Sequence, residues 1–124
     1  MTARTEVVTQ VSGLPLNVNV MGYARNVDAI TEPTVMVRVD QVDHDQAARV
    51  WRRYTVALLV IVPQTDVLPA AEDELDNLLE DVLHQLEQPT TPLTWSTAKR
   101  AVFQDVWPCY EVTLSVPITK ETPA

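Results

Sequence analysis

Glycine is nearly absent: Gly13 and Gly22 are the only two in 124 residues. A phosphate-cradling turn needs several backbone positions free of a Cβ, so this scarcity argues against nucleotide binding. Cysteine is reduced to Cys109, which excludes an internal disulfide and any use of an oxidising compartment. Its thiol reads as a small half-buried hydrophobe beside Tyr110 rather than a nucleophile. His44 and His84 are the only histidines, and no serine stands in a nucleophile-elbow setting, so a hydrolytic triad has no visible parts. The longest apolar run, Val56 to Val62, falls far short of the ~20 residues that span a bilayer. Met1 to Gln10 lacks the apolar core of a signal peptide, so the expectation is synthesis inside the cell and no membrane partner.

Lysine and arginine are missing from one long stretch. Between Asp66 and Glu87 lie eight acidic residues and no base, out of 17 acids and nine bases in the chain. Removing those eight leaves nine acids against nine bases, so the whole net charge of −8 sits on this segment. Such a surface repels phosphate and disfavours nonspecific nucleic-acid binding on that face. The length suits one domain, 1–124, with 46% hydrophobic residues, enough for an ordinary core.

The patterns that are present give an order of elements. Arg4 to Ser12 predicts one or two helical turns stopped by Gly13, an N-terminal helical segment (1–13) that must dock or fray. Leu16, Val18 and Val20 alternate with asparagines, as a half-buried strand does. Residues 23–33 read as a loop closed by Pro33. A second strand runs from about Thr34 to Val42, with Val35, Val37 and Val39 on one face and Arg38 and Asp40 on the other. The third, Arg53 to Val62, becomes apolar on both faces, so it should be central and covered by helix or partner. Asp43 to Arg52 would be a polar loop, long for a hairpin tip.

Pro69 suits a first helical turn, and Glu72, Asp73 and Glu74 suit the positive end of its dipole. Leu75, Leu78, Leu79, Val82 and Leu86 then recur at helical spacing, which predicts a long amphipathic helix ending before Pro89. Strands over Ala98–Asp105 and Tyr110–Val116, turned by Val106-Trp107-Pro108, complete the chain, and 119–124 reads as a frayed tail. The fold class expected is α+β: a mostly antiparallel sheet of four to five strands, packed by one long helix, with a short N-terminal helix.

Two constellations stand out. Trp51 is flanked by Arg49, Arg52 and Arg53, the only basic cluster, beside His44 and Asp45. Tryptophan with arginine is typical of contact hot spots, although Trp51 could equally close the end of the core. Asp40, Asp43, Asp45 and His44 could offer ligands to a divalent cation, but no second ligand cluster has recognisable spacing. The helix presents Glu72, Asp73, Asp76, Glu80 and Asp81, read as a solvated acidic face, as a lumen lining, or as the complement of the arginine cluster on a neighbouring copy. A head-to-tail contact of that last kind closes into a ring when the rotation allows.

A strand opening Arg52-Arg53-Tyr54-Thr55-Val56, an acidic Leu-rich helix over Ala70–Glu87, and a closing pair ending Tyr110-Glu111-Val112-Thr113-Leu114 together resemble the tail terminator proteins of long-tailed bacteriophages. The resemblance covers roughly Leu14 to Ile118 and rests on element order and texture. It implies a non-enzymatic structural subunit with no cofactor, forming a hexameric ring that caps the tail tube and joins the head. It further implies tail-tube and neck proteins as partners, DNA only as passing cargo, and a place in the virion tail after assembly in the bacterial cytoplasm. The alternatives are another neck or tail-tube component, or an acidic protein-binding module of the DNA-mimic type.

Overall fold

The computed structural model describes residues 3–23, 27, 29–45, 51–63, 69–89, 91 and 93–119. Its elements follow the expected order: α1 (Ala3–Ser12), β1 (Asn19–Met21), β2 (Thr34–Asp45), β3 (Trp51–Ile61), α2 (Pro69–Leu86), β4 (Thr94–Phe103) and β5 (Trp107–Thr119). The five strands form one mixed sheet in the order β1-β2-β3-β5-β4. β1 pairs parallel with β2, and the other three pairings are antiparallel. The chain is thus α+β, with a mixed sheet and two helices.

Both helices contribute to the core on one face of the sheet. Val35, Val37, Val56, Leu58, Val60, Val112, Leu114 and Val116 point to that face by strand alternation. They meet Val7 and Val11 of α1 and Leu79, Val82 and Leu86 of α2 in one cluster. The helical stripe read from sequence is therefore the buried one, with Leu75 also buried and Leu78 half-buried. α1 has little amphipathic pattern of its own. It docks through three buried residues, Ala3, Val7 and Val11, and through Arg4, whose Nη1 donates to the carbonyls of Gly22 (2.7 Å) and Val37 (2.9 Å).

The second face explains why β3 is apolar on both sides. Leu59 and Ile61 lie there with Met36, Trp107 and Cys109 under Ile30, with Val27 at the margin. The described cover on this face is Ile30, with Val27, from the segment between β1 and β2 that was expected only as a loop. Gln104 ties that segment down. Its side-chain amide accepts from the Val27 N–H (2.5 Å) and donates to the Val27 carbonyl (3.0 Å), as a strand partner would.

Several boundaries move. The β4–β5 turn is Gln104-Asp105, with φ of 52° and 59°, closed by a bond from Val106 N–H to the Phe103 carbonyl (3.1 Å). Two central residues at positive φ make a type I′ turn. Of the turn expected at Val106-Trp107-Pro108, only Val106 takes part, because Trp107 and Pro108 are strand residues. Pro108 pairs with Val102 past the end of β3, whose last partner in β5 is Cys109. A missing N–H is tolerated where one flank has no strand. Pro117 does the same past the start of β4. The first strand is also shorter than its alternation suggested: Leu16 and Val18 pack on the core, but ladder pairing covers only Asn19 to Met21.

Candidate functional site

Of the stretch Asp43 to Arg52 expected as a loop, residues 43–45 and 51–52 are strand, and 46–50 lie outside the described residues. β2 continues to Asp45 and β3 starts at Trp51, with Asp43 opposite Arg53, His44 opposite Arg52 and Asp45 opposite Trp51. A register shift between Val39 and Gln41 leaves Asp40 as an extra residue, a bulge that bends the hairpin. His44, Arg52 and Arg53 are exposed, and Arg53 Nη1 donates to Ser115 Oγ (3.1 Å). Trp51 and Asp45 are placed by backbone register, and Arg49 lies outside the described residues. The structure therefore brings His44, Asp45, Trp51 and Arg52 to one hairpin end. Consecutive strand residues alternate in face, so Asp43 and His44 point apart. Among the described residues, no group of three or more His, Cys, Asp or Glu side chains is arranged to hold a metal ion.

The acidic residues of α2 divide into two sets. Glu72 and Asp76 face the sheet. Arg100 of β4 grips Glu72 through two nitrogens, each 2.6 Å from a carboxylate oxygen. The Tyr110 hydroxyl donates to Asp76 (3.1 Å), and the Arg100 guanidinium lies 5.7 Å from the Tyr110 ring centroid. The hydrogen bonds from Arg100 hold the Glu72 carboxyl below its ordinary range, and the same pairing raises Arg100. Burial, then the bond to Asp76, raises Tyr110. Asp73, Glu80 and Asp81 are exposed. Asp73 and Asp81 line an open groove of about 510 Å³ with Glu74, Asn77, Leu78 and Val62.

Sequence reasoning missed a third surface. Beyond the cover of Ile30, the second face of the sheet is polar. Arg38 bonds Asp40 (2.6 Å) on its own strand and Glu111 of β5 (2.7 Å), the latter reaching across β3. Hydrogen bonding to Asp40, and then to Glu111, raises the Arg38 pKa. Lys99 of β4 stands opposite Glu111 in register. Alternation in β2 and β5 was the available signal, but Arg38–Glu111 pairing depends on the strand order, which the sequence does not carry.

Cys109 is 2% exposed. Burial, then the charge of Glu111, pushes its thiol up to about 11, so it is protonated and unreactive at neutral pH.

A scan of protein-family models finds no match, and a search of curated proteins finds no significant relative.

Proposed function

We propose that this chain is a structural assembly subunit resembling the phage tail terminators, one that forms a ring capping the tail tube and joining it to the head. The observation that carries the reading is the separation of opposite charges onto different parts of the surface. Exposed Arg52 and Arg53 stand on the β2–β3 hairpin, while exposed Asp73, Glu80 and Asp81 stand on the outer side of α2. Surfaces of opposite charge at different places on one molecule favour head-to-tail contact over two-fold pairing, which would set like charges together. The element order that suggested the resemblance is also the order of the fold.

Light scattering coupled to size exclusion, over a range of protein and salt concentrations, tests this. A closed oligomer, six-membered if the resemblance extends so far, that loosens as salt rises is the expected result. A strict monomer would instead favour the acidic binding module. That second reading draws on the α2 groove, where Asp73, Glu74 and Asp81 ring a floor containing Val62 and Leu78, a surface suited to a basic partner.

A further inference from the structure

We propose that copies of this chain join edge to edge, β4 of one copy adding antiparallel to the outer edge of β2 of the next, with Lys99 opposite Asp43. This rests on the ring reading and places the head-to-tail contact at the two sheet edges rather than between the hairpin arginines and the α2 acids. β4 ends the sheet on one side. On the other side β1 covers only Thr34 to Met36 of β2, and Arg4 occupies the Val37 carbonyl. From Arg38 to Asp45 the outer edge of β2 has no strand partner among the described residues. A ten-residue edge and an eight-residue edge of one sheet thus have no strand partner among the described residues. Such edges are templates for pairing with another chain.

Charge selects which edge meets which. β4 carries Lys99 and no acid, its Arg100 being held by Glu72, whereas residues 38–45 of β2 carry Asp43 and Asp45 besides the paired Arg38 and Asp40. Pairing β4 with β4, or β2 with β2, would bring like charges together. Pairing β2 with β4 brings opposite charges together. Two exposed large hydrophobic residues, Val42 and Val102, lie one on each edge strand, 52% and 59% exposed. Both are on the helix side, since Val42 pairs with Tyr54 and Arg100, two residues from Val102, reaches Glu72 on α2. Asp43 pairs with Arg53, and Lys99 with Glu111, both on the opposite side. The proposed register keeps every residue on its own face, as a continuous sheet requires.

The vertical offset also fits. Through the ladder, Thr94 stands level with Ser115, Thr55 and Gln41, so β4 lies lower in the sheet than the open part of β2. Matching the two edges needs a shift of about six residues, or ~20 Å. Four strands separate equivalent positions in successive copies, ~19 Å across the sheet. A closed ring then leans its strands by about 45°, at the upper end of the range usual for barrels. Right-handed crossovers fix the direction of that shift, and the lean has the hand of ordinary sheet twist only if the helices face outward. In that arrangement α2 lies outside the ring, and Arg38, Arg53, Lys99 and Glu111 line its inside.

Variants Asp43→Cys and Lys99→Cys, each with one exposed cysteine beside the buried Cys109, are mixed and oxidised under mild conditions to test the contact. Directly opposed strand residues lie within disulfide reach, and both positions are exposed, so neither change should disturb the fold. A cross-linked dimer from the mixture, absent from either variant alone, is expected. The double variant should yield a ladder up to the closed oligomer. As an independent reading, Asp43→Lys and Lys99→Asp should each weaken assembly, and combining them should restore it. An intact oligomer without the cross-link or the rescue overturns the edge contact and leaves the ring standing. Absence of any oligomer, in the parent chain too, overturns both.

Discussion

Arg4 should be a costly residue to remove from α1, although the helix is short and the residue is polar. Its Nη1 donates to two carbonyls, Gly22 at 2.7 Å and Val37 at 2.9 Å, and its guanidinium carbon sits 4.5 Å from the Tyr23 ring centroid. Val37 is the first β2 residue beyond the reach of β1, so Arg4 stands where a strand partner is missing. A hydrogen bond from a charged donor contributes about 1.5–3 kcal/mol, and an exposed cation–π contact ~0.5–1. The two bonds share one nitrogen and Tyr23 is 65% exposed, so the contributions overlap. Arg4→Met keeps the aliphatic stem and removes only the polar contacts, and it should cost about 2 kcal/mol.

Urea titration should show a lower midpoint with an unchanged slope, and heating a melting temperature lower by roughly 6–10 °C. Hydrogen exchange should locate the effect, with α1 amides losing protection before those of β3. A loss under about 0.5 kcal/mol would refute the reasoning, because it would mean that water serves the two carbonyls as well as the guanidinium does.

Three further outcomes follow from the interior and the turn. Asp105 adopts a φ of 59°, which glycine tolerates without strain, so Asp105→Gly should stabilise by up to ~1 kcal/mol; Gln104→Gly relieves similar strain but should destabilise by ~1–2 kcal/mol through loss of both bonds to Val27. Cys109 has its thiol raised from 9.0 to about 11, so its folded form holds the proton more tightly than its unfolded form does. The resulting stability is complete below about pH 9 and is lost as pH climbs toward 11, by roughly 2–3 kcal/mol at most. Comparison with Cys109→Ala across that window isolates the effect, and a parallel decline in both proteins would contradict it.

Much of the fold was legible because hydrophobic period is a local signal. Leu75, Leu79, Val82 and Leu86 of α2 and Val35 and Val37 of β2 are buried where the spacing put them. What was not legible depends on pairing. Nothing between residues 43 and 45 marks a strand, yet the backbone continues there because β3 lies alongside, and tertiary pairing overrides polar composition. The parallel β1–β2 pair and the central place of β5 are likewise properties of strand order. The acidic face was legible as charge, but not its division. Glu72 and Asp76 differ from Asp73 only by which side of the helix meets Arg100 and Tyr110.

The β4–β5 turn shows why local turn chemistry failed. A turn with both central residues at positive φ ordinarily takes Asn-Gly or Asp-Gly, and a chain with two glycines has neither here. Gln104 accepts a φ of 52° instead, and its side chain binds both polar groups of Val27. Val27 belongs to the segment that, through Ile30, covers Leu59 and Ile61 on the second face. Asparagine at 104 would suit the turn better, but it is one methylene shorter and would leave Val27 out of reach. The residue is therefore set by what must be held over the sheet, and the turn bears the strain. Strain at such a position persists only where surrounding structure over-determines it, and the double bond to Val27 supplies that constraint.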